Sequence, residues 1–301
     1  MASCAACMPA RHPAFFMKGM HMKTLGYYNG KYDELEKMSV PMLDRACYFG
    51  DGVYDATYSR NHIIYNLNEH IDRFFNSAAL LGIRIPKTKD EMKELLSEMV
   101  RKVDDGEQFV YWQATRGSGI RRHYYGDDMV ANIWIMLTPT KITDNSKPIH
   151  LTTAEDTRFF HCNAKTLNLI PNVIAAKNTE DAGCRECVFH RGERVTECAH
   201  SNVHILKDGV FRTAPTDNLI LPGIARANLI KMCRKNNIPV DETPFTVREM
   251  MDADEVIISS SGSFCLSADT IDGTPVGGKA PHLLEILRRD LMADWLQATE
   301  A

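Results

Sequence analysis

Apolar and polar positions along the chain follow two different periods. Segments rich in β-branched and aromatic residues, GVYDATYS (52–59), QFVYWQAT (108–115) and ANIWIMLTP (131–139), read as strands. TLGYYNGKYDE reads as a hairpin turning at Asn29-Gly30. Helical spacing appears in NEHIDRFFNSAALLGI, with Ile71, Phe74, Phe75, Ala78 and Leu81 on one face. It recurs in TKDEMKELLSEMVRKV through Met92, Leu95, Leu96, Met99, Val100 and Val103, behind a capping box at Thr88 and Glu91.

The polar stretch TPTKITDNSKP then breaks the pattern, and a domain boundary is expected near residues 139–148. Beyond it, IHLTTAE opens a second set of elements. A helix is predicted from about Pro171 to Ala182, since proline suits a first helical turn. CVFHRG, RVTE, VHILKDG and VFRTA read as strands, with a turn at Lys207-Asp208-Gly209, and VIISS as a buried strand. LPGIARANLIKMCRKNN and PHLLEILRRDLMADWLQ read as helices. The expected architecture is an α+β fold with mixed sheets and flanking helices. It is expected to divide into an extension (1–23), a small domain (24–142) and a larger domain (149–301).

Composition narrows the function classes. Hydrophobic residues make up 44% and charged residues 25% of 301, ordinary for a globular chain. The net charge of −4 carries no basic stripe, so nucleic acid is not an expected partner. No apolar run is long enough for a membrane helix, and the N-terminus lacks the apolar core of a secretory signal. Nine scattered cysteines, an odd number, favour a reducing cytoplasm over a disulfide scaffold. The pairs Cys4/Cys7 and Cys184/Cys187 have C-x-x-C spacing but lie far apart. Cys187 opens an apolar run and reads as a small buried residue rather than a zinc ligand.

Two lysines stand near the predicted helix. Lys177 continues the stripe of Ile170, Val173 and Ile174, where its stem would lie on apolar surface and its amine reach water. Lys165 precedes the helix, where a side chain can project into a cleft; alone it would read as a loop lysine.

The order of motifs gives Lys165 a different meaning. FGDGVYDA (49–56), LNEHIDRF (67–74), ATRGSGIRRH (114–123), Lys165-x-x-Asn168, VTE at Glu197 with Ser201-Asn202, LPGI-x-R (221–226) and DEVIISSSGS (254–263) follow one another over roughly residues 24–290. This set resembles the fold-type IV pyridoxal-phosphate enzymes, which comprise D-amino-acid and branched-chain aminotransferases and related lyases. The resemblance implies pyridoxal 5′-phosphate as cofactor, with Lys165 as its Schiff-base amine and as the base moving the substrate proton. It implies Glu197 beside the protonated ring nitrogen, which keeps the ring an electron sink. It implies that Leu221 packs on the ring, and that Arg73, Gly223, Ile224, Ala225, Ser260 and Ser261 hold the phosphate. Taken alone, Arg73 lies off the apolar face of its helix and would read as solvated. Many relatives carry threonine where Ala225 stands, leaving more of the phosphate to Ser260 or Ser261.

Substrate class follows from RGSGIRRH. In the D-specific branch, an R-x-H loop and a tyrosine trap the substrate carboxylate, which matches Arg121, His123 and Tyr54 here. The loop reaches the site from a partner subunit, so a homodimer is implied. FGDGVYDA also follows the D-specific pattern, whereas branched-chain enzymes place a glutamate-glycine pair and an arginine there. His200 departs from the serine usual in D-specific relatives, which bears on substrate range. The expectation is a cytoplasmic transaminase for a D-amino acid such as D-alanine and a 2-oxo acid such as 2-oxoglutarate. An L-branched-chain transaminase and an aminodeoxychorismate-type lyase are the alternatives.

Overall fold

The computed structural model describes residues 23–301; Cys4 and Cys7 lie outside them. The first half of the chain forms β1 (Leu25–Tyr28), β2 (Lys31–Asp33), α1 (Arg45–Phe49), β3 (Gly52–Arg60), β4 (Ile63–Ile64), α2 (Leu67–Leu80), α3 (Lys89–Val100), β5 (Gln108–Thr115) and β6 (Asn132–Pro139). The second forms β7 (Ile149–Glu155), α4 (Ile170–Asp181), β8 (Glu186–Arg191), β9 (Arg194–Cys198), β10 (Asn202–Lys207), β11 (Val210–Thr213), α5 (Ile224–Lys235), β12 (Val240–Asp241), α6 (Val247–Met251), β13 (Glu255–Ser259), β14 (Leu266–Ile271), β15 (Thr274–Pro275) and α7 (Pro281–Ala298).

Strands β1 to β6 make one antiparallel sheet in the order β2-β1-β6-β5-β3-β4. Side chains alternate between its faces. Val53, Asp55, Thr57 and Ser59 of β3 are buried, whereas Tyr54, Ala56 and Tyr58 alternate with them and are only partly covered. Val110 and Trp112 of β5 join Ile71, Phe74, Met92, Leu96 and Met99 of α2 and α3 in one apolar cluster. The capping box at Thr88 and Glu91 forms as expected, satisfying backbone donors at both residues.

The second sheet runs β12-β11-β10-β13-β14-β7-β8-β9, with β15 on β14. It is mixed: β11–β12, β14–β7 and β7–β8 are parallel. One cluster joins it to α5 and α7 through Leu206, Phe211, Leu229, Leu287 and Trp295. A second cluster, around Leu151, Val203, Ile205, Phe245 and Val256, packs its other residues.

Helix α4 begins one residue before Pro171. Its stripe differs from the expectation. Ile170, Val173 and Ile174 are 70%, 60% and 56% exposed, and Lys177 pairs with Asp181 in solvent. The buried positions of the helix are Ala175 and Thr179, so small residues, not the isoleucines, meet the sheet. Cys187 is buried in β8 as expected.

Candidate active site

The segment carrying Lys165 is fixed by its backbone before its amine is considered. Lys165 O accepts from Tyr54 N (2.9 Å), its N donates to Ser77 Oγ (3.0 Å), and Leu167 N donates to Gly52 O (3.0 Å). The segment thereby extends the start of β3. A side chain at Gly52 would sit 2.6 Å from Leu167 Cδ1 and 2.8 Å from Ala114 O, so this approach requires glycine. Lys165 Nζ then lies 4.3 Å from the centroid of the Tyr54 ring.

Tyr54, Arg73, Lys165, Glu197, Leu221, Gly223, Ile224, Ala225, Ser260 and Ser261 all line one cavity, to which residues of both sheets contribute. Lys165 and Glu197, 32 residues apart in number, thus face the same volume.

Glu197, 5% exposed on β9, is held by three donors. Arg158 Nη1 reaches Oε1 at 2.5 Å, while Asn202 Nδ2 and Leu221 N reach Oε2 at 3.0 Å each. Arg158 is itself held by Asp156, through Nε and Nη2 at 2.9 Å each. Burial raises the pKa of Glu197 above the usual carboxylate range, and the Arg158 charge and hydrogen bonds only partly counter it. A cationic group in the cavity would favour its ionised form.

Elsewhere in the lining, the start of α5 and Arg73 form a cradle whose chemistry suits an anion. Helix α5 starts after Gly223 with no side chain capping its N–H groups. A Cβ at Gly223 would meet Asn202 Oδ1 at 2.0 Å, so its bare backbone is needed for this packing. Arg73 is 8% exposed, not solvated as its helical face alone suggested. Asp55 grips it through Nε (2.9 Å) and Nη2 (2.7 Å), and His70 Nδ1 adds a third contact to Asp55 at 2.7 Å. Arg73 Nη1 donates to Pro222 O at 3.3 Å, which sets the guanidinium beside the start of α5. Burial alone would raise the Asp55 pKa, but Arg73 and His70 overcome it and hold the carboxyl well below the usual range.

These residues fit pyridoxal phosphate: an amine, a buried acid, and a guanidinium beside uncapped N–H groups, all lining one cavity. Asp55, His70, Arg158 and Asp156 are additions to the residues expected from the sequence. The signal for Asp55 was a carboxylate at a buried position of an alternating strand.

Arg121 and His123 do not line this cavity. The Arg121 guanidinium lies 5.0 Å from the Phe49 ring and the His123 ring 5.2 Å from it, on a loop tethered by Arg45 to Arg122 O (2.7 Å).

The family model described as amino-transferase class IV matches residues 52–271. The chain belongs to the class IV aminotransferases. A D-alanine aminotransferase of Listeria monocytogenes is 39% identical over 253 residues, covering 82% of this chain and 88% of that protein. A D-alanine aminotransferase of Bacillus licheniformis is 34% identical over 262 residues, covering 86% and 92%. The branched-chain aminotransferase structure from Escherichia coli superposes with a TM-score of 0.84 over 93% of this chain and 96% of that one; at 20% identity this shows the shared fold. The α+β architecture and the enzyme class expected from the motifs are therefore both found.

Proposed function

We propose that this class IV aminotransferase moves an amino group between a D-amino acid, D-alanine, and a 2-oxo acid such as 2-oxoglutarate, using pyridoxal 5′-phosphate. The observation that carries the reading is that Lys165, Glu197 and the Arg73–α5 cradle line one cavity. The relatives named above supply the D-alanine assignment.

When bound, pyridoxal phosphate supplies an electron sink conjugated to the reacting carbon. The chain's residues do the rest. Lys165 Nζ would hold the cofactor and, once the substrate amine has taken its place, would carry the proton of the substrate Cα, on a backbone pinned to β3. Glu197 holds a proton on the ring nitrogen, and Arg158 and Asn202 aim its carboxylate. Leu221 covers the ring. Arg73, the first N–H groups of α5, Ser260 and Ser261 bind the phosphate. Tyr54 binds the substrate carboxylate.

Arg121 and His123 complete that carboxylate site from a partner subunit, making the enzyme a homodimer. Their absence from the lining of their own chain's cavity supports this, as do the exposed apolar side chains of Met42, Ile120, Phe160 and Ile170. A cytoplasmic location suits the seven described cysteines, all free thiols. Among the described residues, no helix is long and apolar enough to cross a membrane.

The test is the absorbance of the cofactor-loaded protein mixed with each enantiomer. Conversion by D-alanine, but not by L-alanine or L-leucine, is expected. The opposite preference overturns the assignment.

A further inference from the structure

A buried chain of side-chain hydrogen bonds runs from α5 to the cavity lining. Arg226, in the first turn of α5, donates from Nε to Thr213 Oγ1 at 3.1 Å. Its Nη2 donates to Ala214 O at 2.9 Å and to Glu242 Oε2 at 2.8 Å. Thr213 Oγ1 lies 2.8 Å from His204 Nδ1, and His204 Nε2 lies 2.8 Å from Ser259 Oγ. Arg226, Thr213, His204 and Ser259 are all buried. Of the four, Ser259 lines the cavity, together with Gly223, Ile224 and Ala225.

The chemistry of these groups fixes the direction of each bond. An arginine only donates, so Thr213 Oγ1 accepts from Arg226. The hydrogen of Thr213 then has one acceptor among the described residues, His204 Nδ1. Burial and the Arg226 charge keep His204 neutral, so its single N–H sits on Nε2 and is donated to Ser259 Oγ. Ser259 Oγ thus accepts from within the protein, and its own hydrogen has no acceptor among the described residues. A buried donor is costly to leave without an acceptor, and this one borders the cavity.

Strand pairing sets which side Ser259 faces. It lies directly opposite Asn202 in the β10–β13 pair, and opposed side chains share a sheet face. Asn202 donates to Leu221 O at 3.1 Å and abuts Gly223. Ile257, two residues before Ser259 on the same face, packs in one cluster with Leu229 and Ile230 of α5. Ser259 therefore stands on the side of β13 that faces α5 and its uncapped N–H groups. Ser260, the next residue, has its hydroxyl paired with Ser263 Oγ at 2.8 Å.

We propose that Ser259 is a further donor to the cofactor phosphate, through a hydroxyl whose direction is set by His204, with Thr213 and Arg226 fixing the histidine tautomer. This rests on the cofactor reading above. It adds a binding residue absent from those the motif order implies, and a positioning residue, His204, that touches neither cofactor nor substrate.

The experiment compares wild type with Ser259→Ala, Ser259→Thr, His204→Phe, His204→Gln and the double variant Ser259→Ala/His204→Phe. Each cofactor-free protein is titrated with pyridoxal 5′-phosphate and with pyridoxal, which lacks the phosphate, and followed by absorbance. Losing a hydrogen bond to a charged group predicts about a 10- to 100-fold fall in the ratio of the two affinities in Ser259→Ala. Ser259→Thr keeps the hydroxyl and should keep most of the ratio. His204→Phe should lower it less than Ser259→Ala does. His204→Gln, able to accept from Thr213 and donate to Ser259, should preserve it. The double variant should fall no further than Ser259→Ala. A general loosening of the fold weakens both ligands alike; an unchanged ratio in Ser259→Ala overturns the proposal, as does an additive fall in the double variant. If wild type forms no absorbance band with either ligand, the Lys165 reading falls. Calorimetry with inorganic phosphate on the cofactor-free protein then still decides the anion site: weaker binding by Ser259→Ala supports it, and equal binding overturns it.

Discussion

Replacing Asp55 by asparagine tests how the cavity keeps a charged arginine at its wall. Asp55 is fully buried and accepts from Arg73 Nε and Nη2 and from His70 Nδ1, all within 2.9 Å. Asparagine keeps the shape but removes the charge, and its amide turns donors toward donors. Breaking a buried ion pair from one side costs about 3–5 kcal/mol, because the remaining charge stays desolvated and unpaired. Loss of one charge-assisted hydrogen bond alone would cost about 1.5–3 kcal/mol. The larger figure applies here, since Arg73 is 8% exposed and cannot turn to water without leaving the start of α5. The assay is urea unfolding of the cofactor-free protein. Asp55→Asn should lose about 3–5 kcal/mol relative to wild type. The double variant Asp55→Asn/Arg73→Met should lose less than the sum of the single changes, because the stranded charge is gone. A loss below about 1 kcal/mol, the scale of an exposed pair, would refute the reasoning. Additive losses would refute it too.

Two further predictions concern acid stability and the cradle. His204 is buried between Thr213 Oγ1 and Ser259 Oγ, at 2.8 Å each, and burial, aided by the Arg226 charge, lowers its pKa to about 3. The unfolded chain takes up this proton near the ordinary histidine value, so stability should fall as pH drops through about 6.5 toward 3. The single proton contributes a slope of about 1.4 kcal/mol per pH unit, and His204→Gln should remove it from the pH profile of urea unfolding. Asp55 adds to this at the acid end: its depressed pKa gives stability present above about 3.8 and lost as pH falls further. Gly223→Ala should drive Asn202 off Glu197, given the 2.0 Å contact, and weaken pyridoxal phosphate binding by equilibrium dialysis. Unchanged cofactor affinity would contradict the role given to this glycine.

Much of the fold was legible because short-range pattern dictates it. The strand at 108–115 begins and ends as its composition predicts, and Thr88 and Glu91 cap their helix as their spacing requires. What escaped the sequence was set by distant partners. Asp55 meets Arg73 18 residues later, and Arg158 meets Glu197 39 residues later. No local pattern announces either pair. The helical face of Arg73 suggested water because its counter-ion sits on a strand. The α4 stripe shows the converse: periodicity reports that Ile170 and Ile174 share a side, not what that side faces. Strand β14 went unread, and its side chains include Ser267, Asp269 and Thr270 among apolar neighbours. Lys165 and Glu197 became legible through the order of whole motifs, since either residue alone reads as an ordinary surface charge.

The central claim is that the Lys165 amine holds pyridoxal phosphate inside the cavity it shares with Glu197. The most direct measurement is borohydride treatment of the cofactor-loaded protein, followed by peptide mass mapping. A phosphopyridoxyl mass increment on Lys165, absent from Lys165→Ala together with the yellow colour, is the expected result. An increment on another lysine, or full colour and turnover in Lys165→Ala, would contradict the account.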